Sequence, residues 1–176
     1  MMKLPRLLLS LTAFTAMAGL AACEPQPEVP TPPAAAADAA AAITVYKSPT
    51  CGCCGRWADH LAEAGFAVRE VELEDLHAVK HANGIPPGLG SCHTAEVAGY
   101  AIEGHVPAAE IHRLLAERPA VAGLAVPAMP IGSPGMEQGG RTDRYVVQAF
   151  DAEGNSTPYA HYEGPRRLST HGPNHN

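Results

Sequence analysis

The sequence predicts a mixed α/β domain, and three observations lead to that prediction. Short runs of alternating apolar and polar residues, which are typical of strands, are separated by segments with helical spacing of apolar residues. Their order is strand, cysteine-rich loop, helix, strand, helix and, after a proline-rich loop, a hairpin. With one Trp, three Phe and five Tyr among 176 residues, the core is expected to be aliphatic and modest in size.

The first half of the domain is predicted to contain two strands and two helices. A strand begins at Ile43 in ITVYKSPT, and the helix that follows carries Cys54, Trp57 and Leu61 on one face. The run FAVREVEL then alternates as a strand does. A short helix is expected over EDLHAVKHAN, with Lys80 and its neighbouring histidines facing solvent.

The second half is predicted to be richer in strands. SCHTAEVAGYAIEGH has strand character with a turn near Gly99, and a helix is expected from Pro107 to Pro119. The segment GLAVPAMPIGSPGME is expected to be a loop. YVVQAF and TPYAHYEG then form a hairpin, in which Pro158 indicates an edge strand.

The N-terminal residues 1–22 have the features of an export signal. Lys3 and Arg6 precede a short apolar stretch, which is too short to predict a membrane-spanning helix. The closing LAAC resembles the lipobox of bacterial lipoproteins, which implies lipidation of Cys23 and a periplasmic, lipid-anchored protein. Glu24 after that cysteine suggests the outer membrane. The alternative is an ordinary signal peptide that leaves Cys23 as a spare thiol.

The remaining chain divides into a tether, a domain and a tail. Residues 23–42 are rich in Pro and Ala and form the predicted tether. At about 3.1 Å per residue, a polyproline-like chain of this length reaches on the order of 60 Å. The folded domain is expected over residues 43–165, followed by a mobile tail over residues 166–176.

Charge and motifs exclude several classes of protein. The net charge is −6 with a pI near 5.8, and no basic run is present, which argues against nucleic-acid binding. No glycine-rich phosphate loop and no serine–histidine–acid arrangement is evident, so no hydrolase or transferase is indicated.

The CxCC motif at the start of the first helix carries the strongest chemical signal. Cys51, Cys53 and Cys54 lie near a helix N-terminus, which favours thiolate over thiol. Three neighbouring thiolates repel one another, and a cation would relieve that repulsion. A redox pair needs only Cys51 as nucleophile and Cys54 as resolving thiol, so Cys53 favours a metal site. A disulfide and a thiol–disulfide oxidoreductase remain alternatives.

The identity of the metal follows from the donors. Thiolate-rich sites select Cu(I), zinc or iron–sulfur clusters. Structural zinc usually takes two separated pairs of ligands, and only Cys92 is left to complete the set. Sulfurs on the adjacent Cys53 and Cys54 diverge, so they suit bridging between several Cu(I) ions better than convergence on one. An iron–sulfur cluster is less expected on an exported protein.

Further ligands are expected outside the motif. Cys92 in SCHT is the remaining thiol, and His105 lies at a turn before a helix. His93 would point to the opposite face of a regular strand from Cys92, which makes it a secondary candidate. Met129 and Met136 lie in the proline-rich loop, where a thioether can bind Cu(I) or fill the core.

The order of the first elements resembles the thioredoxin-like fold. In that fold a CxxC pair lies between the first strand and its helix, and Cys51 and Cys54 occupy these two positions. The resemblance implies a cis-proline facing the cysteines, for which Pro107 and Pro127 are the candidates.

Three motifs in order, SPTCGCCGRWADHL, GIPPGLGSCHTAEVAGYAIEGHVPA and GLAVPAMPIGSPGME, resemble the bacterial CopG-like copper-resistance proteins. The resemblance extends from Ile43 to the last hairpin. It implies a periplasmic thioredoxin-like domain that binds copper and helps cells tolerate it. From the thiolates we expect the domain to sequester one or more Cu(I) ions or to interconvert Cu(I) and Cu(II), with zinc as the alternative metal and other periplasmic copper-handling proteins as partners. The ligands that the resemblance implies are Cys51, Cys53, Cys54, Cys92, His105, Met129 and Met136.

Overall fold

One mixed sheet organises residues 40–170, the part of the chain that the computed structural model describes. Its strands are β1 Ala42–Lys47, β2 Ala67–Glu72, β3 His93–Val97, β4 Tyr100–Glu103, β5 Gly123–Ala125, β6 Arg144–Phe150, β7 Ser156–Glu163 and β8 Arg166–Thr170. They lie in the order β2-β1-β3-β4-β5-β6-β7-β8. The predicted mixed α/β class is confirmed, whereas the signal peptide, Cys23 and nearly all of the tether lie outside the described residues.

In the described part of the chain three helices lie between the strands, and two of them connect parallel neighbours in the sheet. The helices are α1 Gly52–Glu63, α2 His77–Ala82 and α3 Ala108–Glu117, and a 3₁₀ turn spans Pro87–Leu89. Helix α1 joins the parallel pair β1 and β2, α3 joins β4 and β5, and the other neighbouring strands are antiparallel. No helix within residues 40–170 is long and apolar enough to cross a membrane.

The main core lies between the sheet and two helices. Trp57 and Leu61 of α1 and Ile111 of α3 are fully buried and pack in one cluster with the inward side chains of the strands. On β4, Ile102 joins this cluster, whereas Ala101 joins a smaller apolar cluster on the other face. This alternation follows from the pleat of a strand and places both long helices on one face of the sheet.

Two strands form where the sequence predicts none. The predicted loop that begins at Gly123 opens as β5, a three-residue strand between β4 and β6. The predicted tail from Arg166 begins as β8, which pairs with β7. Arg167 in β8 also forms an ion pair with the buried Glu110 of α3, which attaches this segment to the domain.

Pro158 does not mark the edge of the sheet, since β7 lies between β6 and β8. The pairing of β8 covers only Ala160–Glu163, so the proline lies beyond its reach. On the other side the register with β6 shifts between Val147 and Gln148, opposite this position. Pro158 lacks an N–H, but it lies outside the part of β7 that is hydrogen-bonded to both β6 and β8, so the pairing of that part is not interrupted.

The predicted cis-proline is absent, because residues 40–170 contain no cis peptide bond. Pro107 instead precedes the first residue of α3 with extended backbone at φ −61° and ψ 138°. A proline at a helix start loses no intrahelical hydrogen bond, so its role there is to begin the helix.

Candidate metal centre

The cysteine motif lies where β1 turns into α1. Cys51 caps the helix, its N–H donates to the Ser48 carbonyl at 3.1 Å, and its own carbonyl accepts from the Gly55 N–H at 3.3 Å. Cys53 and Cys54 belong to the first turn. The local hydrogen bonds therefore present the motif at the positive end of the helix dipole, as the sequence predicts.

Two of the three motif cysteines form a disulfide. Cys51 and Cys54 are bonded, with Cα atoms 5.3 Å apart, and Cys53 Sγ lies 3.5 Å from Cys51 Sγ. Among the described residues Cys53 and Cys92 are free thiols. All four sulfur atoms lie within 4.8 Å of one another, so the predicted convergence of Cys92 with the motif is confirmed. That these sulfurs bind a metal remains a prediction.

A second group of donors shares the Cys92 sulfur. Cys92 Sγ is 3.3 Å from His93 Nδ1 and 3.3 Å from His105 Nε2. The expectation that Cys92 and His93 point to opposite faces is wrong, because β3 begins at His93 and Cys92 lies in the bend before it. The alternation of a strand therefore does not apply to this pair. His93 is the donor that the sequence leaves in second place.

Both histidines are buried and neutral. The His93 ring packs against Trp57 with centroids 4.3 Å apart and meets the His105 ring edge-on at 4.9 Å. Burial lowers the pKa of His105, and it lowers the pKa of His93 well below the usual value. His105 Nδ1 donates to the Pro134 carbonyl at 2.8 Å, which leaves Nε2 as an electron-pair donor facing Cys92.

The Cys92 thiol keeps its proton at neutral pH. Burial, followed by the neighbouring Cys53, raises the pKa of Cys92 to about 11. A thiolate at this position therefore needs a positive partner, and a bound metal ion would displace the proton.

The loop after β5 closes the site from a third side. A Cβ atom at Gly135, where φ is +81°, would lie 2.7 Å from the Cys53 carbonyl oxygen and 2.8 Å from the Trp57 backbone nitrogen. The next residue, Met136, is buried, whereas Met129 is 49% exposed. Both methionines remain predicted ligands, and the loop is pressed onto the first turn of α1.

A buried ion pair beneath this site is not predicted from the sequence. Glu103 of β4 is fully buried and pairs with Lys80, which the sequence places on a solvated face of α2. The signal for it is a single acidic residue in the apolar run YAIEGH, and its partner lies 23 positions earlier.

The donor set suits a soft cation. Thiolate sulfur with imidazole nitrogen favours Cu(I), and it also accepts zinc. The bonded pair Cys51 and Cys54 can in addition exchange two electrons and two protons between its disulfide and dithiol forms. Metal binding and thiol redox chemistry are therefore both available here.

Comparison with known proteins gives two kinds of match. A family model described as a protein of unknown function, DUF411, matches residues 89–136. A solved structure described as copper resistance protein copG, form 1, is 46% identical with a TM-score of 0.68, and the alignment covers 71% of this chain and 99% of that one. For form 2 the identity is 46%, the TM-score 0.67 and the coverage 70% and 98%. No curated protein sequence matches.

Proposed function

The chain belongs to the CopG-like family of copper-resistance proteins, and we propose that it binds copper as Cu(I) and contributes to copper tolerance. The observation that carries this proposal is the convergence of four cysteine sulfurs with two imidazoles at the start of α1. Sulfur and imidazole donors are those that Cu(I) prefers, and the copper is the cargo of the protein.

We propose that the site holds more than one copper ion. Cys92 belongs both to the sulfur group and to the group with two histidines, and a thiolate sulfur can bridge two ions. Cys51 and Cys54 become ligands only after their disulfide is reduced. The proposed ligands are Cys51, Cys53, Cys54, Cys92, His93, His105, Met129 and Met136, and zinc is the alternative metal.

Interconversion of Cu(I) and Cu(II) is part of the proposal. Oxidation of the Cys51 and Cys54 thiols to their disulfide releases two electrons and two protons, which is enough to reduce two Cu(II) ions to Cu(I). The disulfide between these residues supports this chemistry, and the neighbouring Cys53 and Cys92 thiols offer sulfur to the Cu(I) produced.

The architecture and the location are proposed on different grounds. The order β2-β1-β3-β4, with α1 and its cysteine pair directly after β1, supports a thioredoxin-like interpretation of the first part of the sheet. The sequence of residues 1–42 supports export, lipidation of Cys23 and a periplasmic position at the outer membrane, where other copper-handling proteins would be partners.

A thiol–disulfide oxidoreductase is the second candidate function. The disulfide between Cys51 and Cys54 favours it, since this pair has the CxxC spacing. Cys51 is partly exposed and could act as the nucleophile, whereas Cys54 is buried and could act as the resolving thiol. In this function Cys53 has no role.

Elemental analysis of protein reduced and purified without oxygen tests these functions. We expect copper at one or more equivalents, and a large loss of copper in Cys53→Ser and His105→Ala. His77→Ala serves as the control, because this histidine of α2 belongs to neither of the converging donor groups. Copper below one equivalent beside a full equivalent of zinc would overturn the copper proposal. Disulfide exchange that survives in Cys53→Ser, without copper in either protein, would favour the oxidoreductase.

A further inference from the structure

One buried carboxylate lies behind the copper ligands and touches the segment that carries two of them. Glu103, the last residue of β4, is fully buried and lies two residues before His105. Its Oε1 accepts from the Ser91 N–H at 2.5 Å and from the Lys80 ammonium, and its Oε2 accepts from the Thr94 hydroxyl at 2.7 Å. All these donors come from other parts of the chain.

The two donors from the β3 segment flank the ligand pair. Ser91 directly precedes Cys92, and Thr94 directly follows His93, so the same carboxylate holds both ends of the Cys92–His93 dipeptide. The backbone adds a further link, since the Gly104 N–H donates to the His93 carbonyl at 3.1 Å. These bonds from Glu103 and Gly104 therefore fix the distance between the Cys92–His93 dipeptide and His105.

Ser91 and the Glu103 backbone also connect to the loop after β5 that carries Met129 and Met136, called here the methionine loop. The Ser91 hydroxyl donates to the Ala128 carbonyl at 2.5 Å, and the Val126 N–H donates to the Glu103 carbonyl at 2.9 Å. Ala128 has a left-handed backbone at φ +60°, which is unfavourable for alanine and persists only where neighbours hold it. Met129 directly follows Ala128, so the hydrogen bond from Ser91 holds the backbone before Met129 next to the backbone before Cys92.

Lys80 makes this arrangement possible. Among the described residues it is the cation that pairs with Glu103, and a buried carboxylate without such a partner is strongly unfavourable. Its Nζ also lies 3.1 Å from the Thr94 hydroxyl oxygen. Helix α2 buries none of its own residues, so Lys80 reaches from an otherwise exposed element to the sheet.

We propose that Glu103, neutralised by Lys80, is a positioning residue that fixes Cys92, His93 and His105 in their binding geometry before copper arrives. This inference rests on the proposed function. Partners that orient metal ligands typically change metal affinity by about 10- to 100-fold when they are removed. Glu103 touches no copper ion itself and acts through the residues that do.

Glu103→Gln tests the inference, because the amide presents N–H groups where the carboxylate accepts. We expect Cu(I) affinity to fall by about tenfold or more in competition with a chromophoric chelator. In X-ray absorption spectra at the copper edge, the number of nitrogen atoms bound to copper should fall. Glu110→Gln is the matched control, since Glu110 is equally buried and is held by Arg113, Arg167 and Tyr162 at 2.6 to 2.9 Å without touching the site. The Glu110→Gln variant should lose thermal stability but keep the wild-type Cu(I) affinity and the same atoms bound to copper.

A second pair of variants keeps the test valid if Glu103→Gln does not fold. Lys80 has a partly exposed side chain, so Lys80→Arg should fold and keep Cu(I) affinity, whereas Lys80→Met should lose stability and weaken Cu(I) binding. Wild-type affinity and unchanged copper neighbours in Glu103→Gln, or in Lys80→Met, would overturn the positioning role. A wild-type protein that binds no Cu(I) would overturn the proposed function first, and the inference with it.

Discussion

A methyl group at position 135 should push the methionine loop away from the candidate metal centre. In Gly135→Ala the new Cβ would lie 2.7 Å from the Cys53 carbonyl oxygen and 2.8 Å from the Trp57 nitrogen, both of which are backbone atoms. Ordinary contact is at about 3.5 Å, so the loop must retreat by roughly 0.8 Å. The preceding Pro134 carbonyl, which orients His105, would move with it.

Two costs add up in this variant. A side chain in the left-handed region, at φ +81°, costs about 1 to 2 kcal/mol. Insertion of a group into a filled contact costs about 1 to 3 kcal/mol more. Gly139→Ala is the matched control, since φ is +56° there and nothing lies within 4 Å of a Cβ atom. We therefore expect a total of about 2 to 5 kcal/mol at position 135 and about 1 to 2 kcal/mol at position 139.

Urea denaturation of the reduced, metal-free variants measures both costs, and a Cu(I) competition titration follows the site. Gly135→Ala should have the lower midpoint and the weaker Cu(I) affinity, whereas Gly139→Ala should keep the affinity of the wild type. Equal midpoints in the two variants would refute the close approach of this loop to α1.

Three further predictions concern the surroundings of the site. Trp57→Phe removes the 2.9 Å hydrogen bond to the buried Val106 carbonyl and should cost about 1 to 3 kcal/mol in urea denaturation; no change in midpoint would contradict this. Since the folded state raises the pKa of Cys92 from 9.0 to about 11, it holds the proton more tightly. With the Cys51–Cys54 disulfide intact, stability of the metal-free protein should be unchanged below pH 9.0 and fall towards pH 11, and an equally steep fall in Cys92→Ser would contradict this. Arg167→Met removes one of the arginines paired with Glu110 and should lower the free energy of unfolding by about 1.5 to 3 kcal/mol in the same denaturation assay. An unchanged midpoint would show that this ion pair of β8 does not stabilise the fold.

Much of the fold could be predicted because its signals are local. The period-two alternation of Ile43 and Val45, and the helical spacing of Trp57 and Leu61, are set by which side chains face one core. The convergence of Cys92 with the CxCC motif has no local signal, and the number of thiols together with a family resemblance predicts it.

The remaining features depend on contacts between distant parts of the chain. Strand β5 has three residues and forms because β4 and β6 lie on either side of it. Lys80 appears solvated in its own helix, and only the tertiary fold brings it to Glu103. A strand that includes Cys92 would point His93 away from it, but β3 begins at His93, and this shift of one residue brings both donors to the same site.

The proposed copper ligands come from three stretches that are separated in the sequence by whole strands and helices. Cys54 and Cys92 are 38 positions apart, and Gly135 is a further 43 positions along the chain. The family-model match over residues 89–136 contains only part of this set. If these residues bind copper as proposed, high-affinity uptake should be a late event in folding, because only the folded chain brings Cys92, His93 and His105 to the CxCC sulfurs.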